Sequence, residues 1–294
     1  MIENHNICDF TVFHEDFKPF NYLGHRDKQV VRQCIQNFSV VVGLVRASSI
    51  VPRVLEMGAG LSTVIFSTIL DKLGEKIKTI DAFAYDAIQL NSRGTSDCFN
   101  LSDFKNCDIV KGITISHEEL DEFYRSPYST LLSLSHEEVV CHLDLFINLS
   151  MDDRKYQKIN QILNCNYLTS SLVKKFFLQK GLFLNDLLTA YRTESDEFDF
   201  LKKSHDSPVL KSILESYSPN IIYLDSGEFS SNLEFNHIDE ISKKGTLLIV
   251  QDIFFPKSIK SFLIASTLMI SERWRVLWVD RTTPQGMMIC KKEV

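Results

Sequence analysis

A glycine-bearing turn near residue 58 contains residue types that could hold a ligand. In "RVLEMGAGLST", a short apolar run leads to Glu56, to Gly58 and Gly60, and then to the small hydroxyl residues Ser62 and Thr63. Glycines let the backbone approach a bound molecule closely, and a turn of this kind after a first strand is a common place for nucleotide-like cofactors. The sequence therefore predicts a cofactor-binding turn, with a tight turn that binds nothing as the alternative.

Two phosphate-binding patterns do not fit this turn. The dinucleotide pattern G-x-G-x-x-G needs a third glycine where this chain has Thr63, and the phosphate loop needs a lysine that does not follow the turn. Glu56 lies directly before the turn, where a carboxylate would repel a phosphate group and would pair with an ammonium group. These residues argue against an NAD-dependent oxidoreductase, which is kept as an alternative.

The flanking elements predict an α/β sheet that would position the turn. The segments that indicate strands are "VPRVLEM", "KIKTIDAFA", "CDIVKGITI", "PNIIYLDSGEFSS", "TLLIVQDIFFP", "RWRVLWVD" and "GMMICKK". Helical patterns such as "LSTVIFSTILDKLG", "LEFNHIDEISKKG" and "SIKSFLIASTLMIS" lie between them, and "YDAIQLNSRGTSD" is predicted to be helical or irregular. This alternation predicts a Rossmann-like, doubly wound, mostly parallel sheet, and a C-terminal hairpin around "RTTPQ" adds one antiparallel strand.

The middle of the chain interrupts this alternation with a helical, polar stretch. "SHEE" occurs at Ser116 and again at Ser135, and each serine with a glutamate three residues later predicts a capping box that starts a helix. A metal cluster of Glu138, Cys141 and His142 is the weaker interpretation.

Three segments follow from this pattern. Residues 1–115 hold an N-terminal segment and the first half of the cofactor-binding domain, residues 116–215 form a helical insertion, and residues 216–294 form the second half of the domain. The insertion would act either as a cap over the site or as the dimerisation layer of a homodimer.

"VLEMGAGLST" resembles the first motif of class I S-adenosylmethionine-dependent methyltransferases. "IIYLDSGEF" and "KKGTLLIVQDIFFP" are similar to the fourth- and fifth-strand motifs of that family, and the C-terminal hairpin is typical of its fold. The resemblance implies that S-adenosylmethionine is the cofactor. It also implies that Asp81 holds the ribose hydroxyls, with Asp86 as the alternative. The implied cofactor-binding residues are Glu56, Gly58, Ala59, Gly60, Ser62, Thr63 and Asp81.

The same resemblance implies where the chemistry takes place. Some small-molecule O-methyltransferases of this fold hold a divalent cation with an acid after the fourth strand and an acidic pair after the fifth. Asp225 and Asp252 match the two aspartates, whereas position 253 is an isoleucine that cannot bind a metal. Glu228 stands where related enzymes have a histidine, and it would serve as a general base or as an oxygen ligand for Mg²⁺. Asp225, Glu228 and Asp252 are therefore the implied catalytic residues and the candidate metal ligands.

Composition restricts the compartment and the substrate. A formal net charge of -6 over 294 residues, without a basic stripe, disfavours nucleic acid as a partner. An odd number of cysteines without a C-x-x-C pair indicates reduced thiols, and the N-terminus shows neither a signal peptide nor a membrane span. We therefore expect a cytoplasmic enzyme.

The function that we expect is transfer of a methyl group to a hydroxyl, or less readily an amine, of a small metabolite such as a sugar or natural-product intermediate. The second alternative, beside the oxidoreductase, is a non-catalytic binding module that uses the insertion to hold a partner.

Overall fold

The computed structural model describes residues 25–81, 87–92, 95–100, 105–125, 208–227, 230–253, 261–280 and 286–294. The strands in these ranges are β1 Val54–Met57, β2 Ile77–Asp81, β3 Ala87–Ser92, β4 Thr95–Asn100, β5 Cys107–Lys111, β6 Ile221–Leu224, β7 Leu247–Gln251, β8 Trp274–Asp280 and β9 Met287–Lys292. The helices are α1 His25–Ala47, α2 Leu61–Asp71, α3 His117–Arg125, α4 Leu210–Tyr217, α5 Ser230–Ile241 and α6 Phe262–Ile270.

Some sequence predictions lie outside these ranges. They concern Glu228, Asp86, the second Ser-x-x-Glu motif and most of the helical insertion. Of the helices that are described, none is long and apolar enough to cross a membrane.

The main sheet has seven strands in the order β5-β2-β1-β6-β7-β9-β8. The pairs from β5 to β7 are all parallel, whereas β9 runs antiparallel to both β7 and β8. The predicted fold class is confirmed: an α/β, doubly wound, mostly parallel sheet with one antiparallel strand from the C-terminal hairpin. The strand order reverses between β1 and β6, and this is where such sheets bind ligands.

Both faces of the sheet are covered by helices, which explains why its central strands are largely apolar. Helices α1 and α2 cover one face, where Phe38, Phe66 and Tyr223 pack together and the Phe38 and Phe66 rings stack with centroids 4.0 Å apart. Helices α4, α5 and α6 cover the other face around Leu248 and Ile222. Every residue of β1 and β6 is buried, so the turns after these strands are held by a rigid base.

The prediction for the segment after β2 is wrong. Residues 85–97 were predicted to be helical or irregular, but residues 87–92 and 95–100 form the antiparallel pair β3 and β4, with Ala87 paired to Asn100 and Ser92 paired to Thr95. Two short runs separated by two residues that end in a glycine are the usual pattern of a hairpin. Runs of six residues are too short for helical periodicity to distinguish the two structures.

The first Ser-x-x-Glu motif forms the predicted capping box. The Glu119 amide donates to Ser116 Oγ at 3.1 Å, and the Ser116 amide and hydroxyl donate to Glu119 Oε2 at 3.1 and 2.9 Å. The box starts α3 at His117. Helix α5 begins at Ser230, earlier than the predicted start at Leu233, and in its first turn the Ser231 hydroxyl donates to the Gly227 carbonyl at 2.6 Å.

Candidate functional site

The turns after β1 and β6 touch at the carboxyl edge of the sheet. Gly58 has a φ of +85°, and a Cβ built on it would lie 3.0 Å from the carbonyl oxygen of Asp225. Both the dihedral angle and the close approach therefore require glycine at this position. At Gly60, by contrast, no atom of the described residues lies within 4 Å of the position that a Cβ would take. The turn is tight on one side and open on the other.

The amides of this turn are committed to partners within the protein. The Gly58 amide donates to the Ile80 carbonyl at 2.9 Å, the Ala59 amide to Asp81 Oδ2 at 2.7 Å, and the Gly60 amide to Thr63 Oγ1 at 2.9 Å. Loops that cradle phosphates need such amides to point at the ligand. These three amides therefore do not provide the free N–H groups that a phosphate loop uses.

Glu56 lies beneath the turn and is completely buried. Its carboxylate accepts hydrogen bonds from Ser62 Oγ, from Thr63 Oγ1 at 2.6 Å and from Thr79 Oγ1 at 2.8 Å. Thus the hydroxyls of Ser62 and Thr63, expected to contact a cofactor, hold Glu56 in the structure. Burial raises the pKa of Glu56 to about 7 against the opposing effect of the three hydroxyls, and Asp225 adds to the increase. Its contact with an ammonium group stays a prediction.

The raised pKa of Glu56 predicts how stability depends on pH. Because the folded pKa of about 7 exceeds the unfolded value of 4.5, the contribution is fully present below pH 4.5 and is lost as the pH rises through 7. We expect it to lower the free energy of unfolding by about 3 kcal/mol across that window, at about 1.4 kcal/mol per pKa unit. Urea unfolding at a series of pH values should show this fall in wild type relative to Glu56→Gln. Parallel profiles for the two proteins would contradict the prediction.

Asp81 ends β2 beside the turn, as predicted. It is half-buried and accepts the Ala59 N–H through Oδ2. A carboxylate has about four lone-pair sites, so this bond is compatible with further hydrogen bonds from ligand hydroxyls.

The two predicted catalytic aspartates follow neighbouring strands. Asp225 follows β6 and accepts a hydrogen bond from Tyr223 Oη at 3.1 Å, and Asp252 follows β7 and is buried with a φ of +60°. Tyr223 Oη also contacts Gln251, the residue before Asp252. Burial and then the charge of Asp225, with a smaller effect from Asp252, raise the pKa of Tyr223 well above its ordinary value. The structure thus places Asp225 against Tyr223, and Asp252 directly after the residue that contacts the same hydroxyl.

A third carboxylate near these residues was missed from the sequence. Asp280 ends β8, is buried, and accepts a hydrogen bond from Asn37 Nδ2 at 2.7 Å. Burial and the charges of Asp280, Asp225 and Asp252 together raise the pKa of Cys34 to about 12. Asp280 stands at the end of the predicted strand "RWRVLWVD", and this position could have indicated a site residue. Because β8 runs parallel to the central strands, it ends at the same edge of the sheet as they do.

The metal prediction gains no support in the described part of the chain. No group of at least three His, Cys, Asp or Glu side chains suited to a metal ion occurs there, although Glu228 lies outside these residues. Ile253 is fully buried in the core and cannot act as a ligand.

Comparisons with known proteins give fold neighbours only. No protein-family model and no curated protein matches the chain. Among solved structures, the chain is similar to "a putative O-methyltransferase from Klebsiella pneumoniae", with 10% identity and a TM-score of 0.38 over 96% of this chain and 97% of that one. It is also similar to "a putative caffeoyl-CoA O-methyltransferase from Staphylococcus aureus", with 11% identity and a TM-score of 0.38 over 97% of this chain and 92% of that one. At this TM-score neither similarity supports an inference about function. Any such inference depends on the residues around the crevice between the turns that follow β1 and β6.

Proposed function

We propose that this chain is an S-adenosylmethionine-dependent methyltransferase that methylates a hydroxyl group of a small metabolite. The observation that carries the proposal is the turn at 58–60, whose three amides are used internally and which is bordered by the carboxylates of Glu56 and Asp81. A ligand at this turn must bring hydrogen-bond donors or positive charge instead of phosphate. S-adenosylmethionine brings ribose hydroxyls, an ammonium group and a sulfonium.

The residues around the turn fit this cofactor in hydrogen-bonding type. The open side of the turn at Gly60 gives a ligand access to the backbone, and Asp81 would accept hydrogen bonds from the ribose hydroxyls. The positive ammonium group would favour the ionised form of Glu56 beneath the turn, which a pKa of about 7 leaves only partly populated at neutral pH.

Asp225 and Asp252 would remove the proton from the acceptor, together with Glu228. When bound, the cofactor would supply an electrophilic methyl group for the acceptor oxygen, with the electron pair of the broken carbon–sulfur bond left on sulfur. Asp225 or Asp252 would take the proton of the acceptor hydroxyl. Tyr223 would orient Asp225 through its 3.1 Å hydrogen bond. The same carboxylates would hold Mg²⁺ if the enzyme uses a metal, with Glu228 as the third oxygen ligand.

A small-molecule substrate in the cytoplasm is consistent with the charge and the thiols. The net charge of -6 disfavours polyanionic substrates. Cys34, Cys107 and Cys290 are free, as expected in a reducing compartment.

Cofactor binding is the direct test of the proposal. We expect S-adenosylmethionine and S-adenosylhomocysteine to raise the melting temperature, by the equivalent of about 2.7 kcal/mol at 100 times the dissociation constant, and NAD to have no effect. Asp81→Ala should weaken calorimetric binding by about 1.5–3 kcal/mol, the range for hydrogen bonds to a charged group. Stabilisation by NAD and by neither sulfur ligand would overturn the proposal and favour the oxidoreductase.

The buried Ile253 favours a second candidate, a non-catalytic module that binds the cofactor. The acidic pair of the metal-dependent O-methyltransferases is incomplete here, because position 253 is an isoleucine whose side chain is buried in the core. Tight binding of S-adenosylhomocysteine without methylation of any acceptor in a panel of catechols, phenols and sugars, with and without Mg²⁺, would favour that candidate.

A further inference from the structure

A buried glutamate connects two loops that border the crevice. Glu234 lies on α5, is completely buried, and accepts hydrogen bonds from Thr114 Oγ1 through Oε1 and from Ser226 Oγ through Oε2. Thr114 belongs to the loop after β5, and Ser226 belongs to the loop after β6. One carboxylate therefore joins the ends of both strands.

The two strands are not neighbours in the sheet. β2 and β1 lie between β5 and β6, so at about 4.8 Å per step the two strands are about 14 Å apart. The two loops must therefore approach each other to reach the same side chain. A Cβ built on Gly58, just after β1, would lie 3.8 Å from Ser226 Cα, so the bridge of Thr114, Glu234 and Ser226 borders the turn of the candidate cofactor site.

Helix α5 holds each loop by a second contact as well. The Ser231 hydroxyl donates to the Gly227 carbonyl at 2.6 Å and lies 3.1 Å from Ser226 Oγ. One turn further, His237 Nε2 lies 3.2 Å from Glu119 Oε1, in the capping box that follows the other loop. The helix thus acts as a common support, with Glu234 as the point where the two loops meet.

We propose that Glu234 is a positioning residue that sets the width of the crevice for the nucleoside part of the cofactor. This inference rests on the proposed function. Because Glu234 is buried, it acts through Thr114 and Ser226. Loss of its two acceptor oxygens would remove the acceptor of the Thr114 hydroxyl and would leave the Ser226 hydroxyl with Ser231 only. The loops could then separate, so the cost of binding would include bringing them back together.

The test compares variants of one helix by calorimetric titration with S-adenosylhomocysteine, at a temperature where every variant is folded. We expect Glu234→Ala to weaken binding by about tenfold or more. Glu234→Gln should stay within about threefold of wild type, because an amide offers one acceptor and one donor and hydroxyls can reverse their direction. Asp239→Ala is the control: Asp239 lies on the same helix but contacts Arg273, Trp274 and Lys292. It should lower the melting temperature and change the affinity by less than about twofold.

A double-mutant cycle provides the second arm, and it does not need Glu234→Ala to fold. Thr114→Val and Ser226→Ala should each weaken binding about threefold, and the double variant should lose much less than the product, because both cut the same bridge. The inference about Glu234, but not the proposed function, would be overturned by either of two results. One is that the losses of affinity in Thr114→Val and Ser226→Ala multiply in the double variant; the other is that Glu234→Ala binds as tightly as Asp239→Ala. Failure of the wild-type chain to bind would instead overturn the proposed function and this inference with it.

Discussion

Replacement of Asp252 by asparagine is expected to lower turnover by roughly 10²–10⁴-fold, the usual loss for removing a general base. Asparagine keeps the shape of the side chain and tolerates the left-handed backbone that Asp252 adopts, with a φ of +60°. The substitution thus removes the charge and preserves the fold. The measurement is transfer of labelled methyl groups to the acceptor that the wild-type enzyme accepts best in the panel. Affinity for S-adenosylhomocysteine should change by less than about twofold.

The backbone of Asp252 offers a matched control. Glycine adopts a φ of +60° without strain, so Asp252→Gly should be at least as stable as wild type while losing turnover as Asp252→Asn does. Strained residues that persist in folded proteins cluster at functional sites, and a gain in stability with a loss of activity is the expected signature. If Asp252→Gly kept full turnover, Asp252 would have no catalytic role.

Asp225 can be tested by the same replacement with asparagine as Asp252. Tyr223→Phe is the companion variant, because it removes the hydroxyl that donates to Asp225. Asp225→Asn removes the charge next to Tyr223 Oη, and we expect a loss of turnover in the same range as for Asp252. If chelation abolishes turnover and Mg²⁺ restores it, the aspartates act as ligands; insensitivity to the chelator favours the role of base. Turnover unchanged in both Asp225→Asn and Asp252→Asn would exclude the proposed chemistry.

The sheet was predictable from the sequence because its central strands are buried on both faces. "IIYL" and "LLIV" are apolar runs and "VLEM" is apolar except for Glu56, and all three lie between helical patterns. Few structures other than a doubly wound sheet satisfy that order. The hairpin of β3 and β4 was not predictable in the same way. Its strands are short and contain polar residues on both sides of the alternation, so that the two-residue connection was the remaining signal.

The site was predictable at the level of its turns but not of its side-chain partners. Glu56 was identified correctly as the acid before the turn. Its buried carboxylate accepts a hydrogen bond from Thr79, which the parallel register of β1 and β2 places directly beside it. β1 and β2 are parallel and are joined by a helical crossover, so no tight turn fixes their register in the sequence. The role that we propose for Glu234 likewise depends on its hydrogen bond with Thr114, a residue far away in the sequence.

Removal of Asp239 is expected to have the largest effect on stability. Lys292 is almost completely buried on β9, and its ammonium donates to Asp239 Oδ1 at 2.7 Å and lies 4.9 Å from the centre of the Trp274 ring. Trp274 Nε1 and Arg273 also donate to the same carboxylate, both at 2.6 Å. Burial lowers the pKa of Lys292, and the carboxylate of Asp239 opposes that shift.

Asp239→Ala should therefore lower the free energy of unfolding by about 3–5 kcal/mol, because it leaves a buried charge without its partner. The loss should be measured by urea unfolding at pH 7. It should shrink as the pH rises toward 10, since the unfolded chain then binds more protons at Lys292 than the folded variant does. Replacing both residues, as Asp239→Ala with Lys292→Met, should recover most of the loss, because an apolar side chain of similar length removes the unpaired charge and keeps the contact with Trp274. If the double variant were as unstable as Asp239→Ala alone, the packing of α5 against β8, and not the buried ammonium, would be the source of the stability.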